Sequence, residues 1–127
     1  MHGTRIPLAK PDSRAITIRL ARNPSDLMLV TAIRSAVYLA EQDCPFDEEF
    51  DGNDMVAAHF IGYIGNEPAG CLRVRFFGDF AKVERLAVRH QYRRSRLSFK
   101  LVQASIDFVK RKGFRKIYGQ AQDRLVD

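Results

Sequence analysis

Three arginines lie at the junction between an apolar, strand-like stretch and the start of an amphipathic helix pattern. The stretch VRHQYRRSRLSFKLV occupies residues 88–102, with Arg93, Arg94 and Arg96 at the junction. A strand that turns tightly into a helix directs several backbone N–H groups at one point, and the helix dipole adds partial positive charge there. The sequence therefore indicates an anion site suited to a pyrophosphate. A solvated basic loop at a helix start is the alternative.

A second charged segment is acidic. Residues 41–54 (EQDCPFDEEFDGND) carry seven carboxylates and no basic residue. Asp47, Glu49 and Asp51 match the first ligand positions of a calcium loop, but Ala58 stands where that loop needs its bidentate Glu. We therefore reject calcium and predict no metal. The segment fits either an acidic wall for a cationic acceptor, such as a polyamine or a lysine-like amine, or a solvated loop.

Composition limits the possible classes of protein. A chain of 127 residues, 46% hydrophobic, predicts one domain over residues 15–127 behind a flexible arm at 1–14. Its net charge of +6 favours an anionic partner without identifying it. No apolar run approaches the roughly 20 residues of a membrane helix. Two isolated cysteines, Cys44 and Cys71, predict reduced thiols in a cytoplasmic protein.

Hydrophobic periodicity predicts the elements that position these residues. We expect strands at 15–20, 56–64, 69–77, 81–88 and 115–121, and helices at 24–40 and 97–112. Asn23 is a suitable cap for the first helix. The turns at 65–68 and 78–79 are too short for crossovers, so the three middle strands should form an antiparallel meander. The last helix joins two parallel strands. The order β-α-β-β-β-α-β predicts an α+β (mixed α/β) domain.

The sequence KVERLAVRHQYRRSRLSFKLV (82–102) resembles the signature of the GNAT superfamily of acyl-CoA-dependent N-acyltransferases. Glu84, Leu86 and Val88 match its E-x-L-x-V strand, and Arg93 takes the first position of the R/Q-x-x-G-x-G/A loop that follows.

The loop departs from the pattern at its two small residues. Arg96 stands at the usual first glycine and Ser98 at the second Gly or Ala. A residue in helical conformation still presents its N–H, so we expect the loop to retain its anion site. The resemblance extends over about residues 15–124. In 33–54 it rests on Arg34, Val37, Tyr38, Glu41, Gln42, Asp51, Gly52 and Asp54.

The resemblance implies a GNAT-like fold, a central mixed sheet with helices on both faces, and acetyl-CoA or another acyl-CoA as co-substrate. The cofactor would enter a splay between the strands at 81–88 and 115–121. Its implied contacts are Leu86, Ala87, Val88, Arg93, Arg94, Ser95, Arg96, Leu97 and Ser98.

The resemblance also implies a chemistry for Glu84. An amine must lose a proton to attack a thioester, and Glu84 on the strand is the candidate base. The alternative is a structural carboxylate paired with Arg73, Arg75 or Arg85. The amide of Leu86 could polarise the thioester carbonyl.

The activity implied is N-acyl transfer, in particular N-acetyl transfer, to a primary amine of a small molecule or peptide. Glu41, Asp51 and Asp54 are the candidate contacts to that amine.

In this family the fold continues past the 115–121 strand with a helix, whose tyrosine protonates the leaving thiolate, and two further strands. Because this sequence ends at Asp127, we expect a C-terminally truncated fold, a general acid outside it and a homodimer through the open edge. Tyr118 does not match the family's tyrosine. The other classes considered are a catalytically inactive CoA-binding or regulatory module, an acyl-homoserine-lactone synthase-like enzyme, and a nucleic-acid binder. No nucleic-acid motif accompanies the basic cluster, which disfavours the last.

Overall fold

Five strands form one mixed sheet. The computed structural model describes residues 15–41 and 52–119, without the side chains of residues 40 and 41; the expected arm at 1–14 lies outside these ranges. The strands are β1 (Ile16–Leu20), β2 (Ala58–Ile64), β3 (Glu67–Phe76), β4 (Phe80–Val88) and β5 (Lys116–Gly119), and they lie in that order across the sheet. Neighbours are antiparallel except β4 and β5, which are parallel. The predicted meander and parallel pair are confirmed.

The first helix begins where its capping residue predicts. The Asn23 side-chain oxygen accepts the N–H of Asp26 at 2.8 Å, and helix α1 runs over Pro24–Arg34. The Arg19 guanidinium donates to the Asp26 carboxylate at 2.8 Å and lowers the pKa of Asp26 to about 2. A π-helical segment, Ser35–Glu41, continues α1 directly. The predicted helix to residue 40 is therefore confirmed in extent but differs in type over its second half.

The helices cover opposite faces of the sheet, as predicted. On one face, α1 and the π-helical segment pack Val30, Ile33, Val37 and Tyr38 against Ile61, Cys71 and Ala87. On the other, helix α2 (Leu97–Arg111) packs Leu97, Leu101 and Val109 against Phe60, Leu72, Val74 and Val83. Within the described ranges, no helix has both the length and the apolarity to cross a membrane.

Two glycines bring the start of α2 close to the sheet. A Cβ on Gly62 would lie 2.7 Å from Cδ1 of Leu97, and one on Gly70 would lie 3.0 Å from Cδ2 of the same side chain. Leu97 is fully buried between them. Neighbouring β2 and β3 therefore provide a bare surface beneath the first residue of α2.

Candidate active site

Strand β4 contains a bulge one residue past Glu84. Cys71 pairs with Ala87, but Arg73 pairs with Glu84, so β4 holds one more residue than β3 between these pairs. Arg85 lies in the bulge with a φ of 56°, in the left-handed region. Such a bulge bends the strand and moves backbone groups out of the regular ladder.

Beyond the bulge, backbone groups of β4 face away from β3. The N–H of Arg89 donates to the carbonyl of Ala69 at 2.9 Å. Because an antiparallel ladder alternates, Leu86 and Val88 must direct their N–H and C=O groups to the opposite side. In the described chain the β4–β5 pairing ends at Val83 opposite Gly119. Among residues 15–41 and 52–119, no strand pairs with this side of β4 beyond Val83, and we refer to this side of β4, with its polar backbone groups at residues 86–88, as the gap.

Side chains satisfy both carbonyls along this gap. The Tyr38 hydroxyl, from the π-helical segment, donates to the carbonyl of Leu86. The Nε of Arg93 donates to the carbonyl of Val88 at 3.0 Å. The gap thus offers the amide N–H groups of Leu86 and Val88 as donors.

A cavity of about 290 Å³ adjoins the gap. Its apolar wall comes from β3, β4, α2 and β5, and consists of Leu72, Val83, Val102, Ile106 and Ile117. Glu84, Leu86 and Tyr38 also line it. Ligand pockets commonly measure about 300–1,000 Å³, so this cavity suits a narrow arm of a ligand.

The loop between β4 and α2 has an unusual backbone. Arg94 and Arg96 have φ values of 69° and 71°. Arg96 occupies the N-cap position of α2 without a side-chain capping bond, and the Ser95 hydroxyl donates to the carbonyl of Tyr92 at 2.6 Å. Arg96 precedes the helix and adopts the left-handed conformation that favours glycine, so its N–H is not presented from a helical residue. The glycine pattern is missing in sequence but its backbone geometry is present.

The three arginines of the loop are not equivalent. Arg93 holds the loop to the end of β4 through Val88. Arg96 lies over the ring of Phe99, with its guanidinium carbon 5.1 Å from the centroid. Arg94 is exposed to solvent. Arg94 and Arg96 are therefore the cations best placed to meet a solvent-side anion at the start of α2.

Glu84 is a buried, ion-paired carboxylate. Its Oε2 lies 2.6 Å from Nη2 of Arg73 and 2.5 Å from Nε of Arg75, and Lys82 is 3.7 Å from Oε1. Burial alone would raise the pKa of Glu84, but the hydrogen bond from Arg75 and the charge of Arg73 outweigh it, so the pKa falls below its ordinary value. The structural pairing with Arg73 and Arg75 is present, while Glu84 also reaches the cavity.

Asp54 joins the same cluster from the segment before β2. Its Oδ1 accepts from Arg34 at 2.6 Å and from Arg73 at 3.0 Å. Burial opposes ionisation, but the bonds to these arginines lower the pKa of Asp54. The carboxylate is thus committed to two buried cations.

His59 lies beside Asp54 as a neutral imidazole. Its Nε2 is 2.9 Å from the backbone carbonyl of Asp54 and must carry the proton of that bond. Burial, together with the charges of Arg34 and Arg73, lowers the pKa of His59. Nδ1 is buried without a hydrogen-bond partner within the described residues.

The structure brings most of the predicted site residues to one edge of the sheet. The strand end at 86–88 and the loop at 93–98 meet through Arg93, and Asp54 reaches Glu84 through Arg73. The side chain of Glu41 and all of Asp51 lie outside the described residues, as do Cys44, Asp47 and Glu49.

Two residues of the site, Tyr38 and Arg34, have no role predicted from the sequence. Tyr38 matches the family's sequence pattern, but no neighbouring residue indicates its contact with Leu86. Arg34 follows Ile33 within an apolar helical pattern, and a charged residue at such a position signals a buried ion pair.

Comparison with known proteins agrees with this geometry. The acetyltransferase (GNAT) family model matches residues 27–124. The chain is 34% identical to BSU40680 of Bacillus subtilis (strain 168), whose name assigns it to the acetyltransferases, over 112 residues that make up 84% of this chain and 76% of that protein. Among solved structures, a protein from Lactobacillus plantarum assigned as an N-acetyltransferase superposes with a TM-score of 0.79 at 23% identity, covering 87% of this chain and 77% of that one.

A more distant structure was solved with the cofactor bound. The aminoglycoside N-acetyltransferase AAC(6')-Iy in complex with CoA superposes with a TM-score of 0.66 at 15% identity, covering 94% of this chain and 83% of that one. The family match, the relative and the shared fold lead to one conclusion: the chain belongs to the GNAT family of acetyltransferases and is an acyltransferase that acts on amines.

Proposed function

We propose that the protein transfers an acetyl group from acetyl-CoA to a primary amine of a small molecule or peptide. The observation that carries this proposal is the gap beside β4, where Leu86 and Glu84 line a cavity of about 290 Å³ that α2 and β5 also border. The buried thiol of Cys71, which forms no disulfide among the described residues, fits the reducing cytoplasm, which the proposal includes as the compartment.

The described residues fit an acyl-CoA in two parts. The apolar cavity and the β4 amides at 86–88 would hold the pantetheine arm, which is narrow and carries amide groups. The 93–98 loop and the first turn of α2 would hold the pyrophosphate, because the positive end of the dipole of a 15-residue helix lies there beside the basic side chains of the loop. Arg94 and Arg96 would add charge from the solvent side, while Arg93 would keep the loop at the strand end.

When bound, acetyl-CoA supplies an activated thioester, and the chain supplies orientation and charge. The Leu86 amide would donate to the thioester oxygen as negative charge develops on it. Glu84 would accept the proton that the amine loses as its nitrogen forms the new C–N bond. The C–S bond would break to release the CoA thiolate, which would take up a proton from solvent, and Glu84 would return its own proton to solvent. Its lowered pKa keeps Glu84 ionised at neutral pH, so the proton acceptor is always available although it is a weak base.

The acidic residues would favour a cationic acceptor, with unequal roles. Glu41 and Asp51 are proposed as direct contacts to the amine. For Asp54 we propose an indirect role, since its carboxylate binds Arg34 and Arg73. It would hold Arg73 in place, and Arg73 in turn holds Glu84.

Calorimetric titration with acetyl-CoA tests the proposal, with variants that reverse one exposed charge. Arg94→Glu should weaken binding about tenfold or more, since a charge reversal beside a pyrophosphate costs at least the roughly 1.4 kcal/mol of a tenfold change. Arg115→Glu, equally exposed in the turn after α2, is the matched control and should leave affinity within about twofold.

Turnover with a panel of primary amines completes the test. Acetyl-CoA binding without turnover of any amine would favour an inactive CoA-binding module. A wild-type chain that binds no acetyl-CoA but binds nucleic acid in a salt-sensitive way would refute the proposal.

A further inference from the structure

The π-helical segment delivers one hydroxyl to the bulge of β4. Tyr38 lies in the middle of Ser35–Glu41, is 7% exposed, and lines the cavity together with Glu84 and Leu86. Its hydroxyl donates to the Leu86 carbonyl, which lies 48 residues further along the chain. Short π-helical stretches inside helices frequently mark functional sites. Here the wider turn coincides with the residue that contacts the strand.

The Leu86 carbonyl needs this donor for two reasons. The bulge and the ladder alternation turn it away from β3, and the described β4–β5 pairing ends before it. Left bare, a buried carbonyl would be an unsatisfied acceptor. Its negative end would also lie next to the Leu86 amide, where a developing oxyanion would need positive potential.

We propose that Tyr38 is a positioning residue for acyl transfer. This inference rests on the proposed function. By bonding the carbonyl, Tyr38 fixes the peptide plane between Leu86 and Ala87, which adjoins the plane carrying the Leu86 N–H, and covers the negative end of the carbonyl dipole. The Leu86 N–H, on the same residue, would then face the thioester oxygen without an uncompensated negative dipole beside it. Because that oxygen gains charge only as the bond to nitrogen forms, Tyr38 acts on turnover more than on cofactor binding.

The test removes a single oxygen atom. Tyr38→Phe should lower kcat by about 5- to 50-fold, because the Leu86 carbonyl loses its donor and the backbone beside the Leu86 N–H is held less firmly. The KM for acetyl-CoA and its calorimetric Kd should change by less than about threefold.

Tyr63→Phe is the matched control. The Tyr63 hydroxyl accepts from Arg19 at 2.7 Å on β2, so its loss also removes one partly buried hydrogen bond. Tyr63→Phe should lower thermal stability by about as much as Tyr38→Phe does, and should leave kcat within about twofold of the wild type.

The outcomes separate this inference from the proposed function. If the wild-type chain binds no acetyl-CoA, the proposed function fails. If the wild type turns over and folded Tyr38→Phe keeps its kcat within about twofold, the role of Tyr38 is refuted. The role is equally refuted if the loss of activity matches the unfolded fraction measured by circular dichroism at the assay temperature.

Discussion

Asp54 and Glu84 should be energetically coupled, because both carboxylates bind the guanidinium of Arg73. That side chain is 1% exposed, with Nη1 at 3.0 Å from Asp54 and Nη2 at 2.6 Å from Glu84. Each single variant, Asp54→Asn or Glu84→Gln, removes one negative charge beside Arg73 and leaves the other carboxylate bound to it. The double variant removes both.

The structure sets the size of each effect. Breaking a buried ion pair costs about 3–5 kcal/mol of unfolding free energy, and Glu84→Gln should lie near the lower value because Arg75 and Lys82 can turn toward solvent. Asp54 is 20% exposed, so Asp54→Asn should cost about 1–2 kcal/mol. The double variant should cost about 1–2 kcal/mol more than the sum, since neither carboxylate then neutralises Arg73.

Urea unfolding at pH 7, followed by circular dichroism, measures this coupling as a double-mutant cycle. Asp79→Asn is the control, because its carboxylate is 72% exposed and contacts only exposed Lys116 among the described residues. It should cost less than about 0.5 kcal/mol and combine additively with Glu84→Gln. A double variant of Asp54 and Glu84 whose cost equals the sum within about 0.5 kcal/mol would refute the bridge through Arg73.

Two further outcomes follow from backbone strain and burial. Arg96→Gly should raise the free energy of unfolding by about 0.5 kcal/mol. The reason is that the relief of about 1–2 kcal/mol of left-handed strain exceeds the cost of the additional unfolded-chain entropy of glycine. A lower Tm for the variant in thermal unfolding would contradict this prediction. The folded-state pKa of His59 lies below its ordinary value, so the unfolded chain binds the extra proton first as pH falls below about 6.5. Stability should be full above that pH and be lost on acidification by up to about 1.4 kcal/mol per pH unit. His59→Gln should flatten this slope below about pH 6.5, and an unchanged slope would assign the loss of stability to other groups.

Local patterns predicted the elements, and the ion cluster depended on tertiary contacts. Asn23, a residue type that caps helices, predicts the start of α1, and the short turns between the strands require them to be antiparallel neighbours. Both signals act over a few residues. The bonds from Arg73 to Asp54 and Glu84 span 19 and 11 residues, and their partners depend on which strands become neighbours.

The π-helical turn and the left-handed loop residue could not be predicted from the sequence for a different reason. Apolar spacing over residues 35–41 is nearly the same for an α-helix and a wider π turn, so the sequence indicated extent but not type. At Arg96 a non-glycine residue disfavours the left-handed conformation, and the backbone adopts it nevertheless. The role of Tyr38 is a prediction from the fold, because its partner is a backbone group without a sequence signature.

Gly62 and Gly70, the two glycines beneath Leu97, set how closely the first turn of α2 approaches the sheet. A methyl group at Gly62 would meet Leu97 at 2.7 Å and lift the first turn of α2 from the sheet, whereas one at Gly70 would meet the backbone oxygen of Ala87 at 2.9 Å as well as Leu97 at 3.0 Å. The loop before it is held to β4 by Arg93, so the lift would tilt the helix about that anchor. In the proposed function, the spacing between the β4 amides and the start of α2 would therefore depend on Gly62 and Gly70, two residues that would not touch the cofactor themselves.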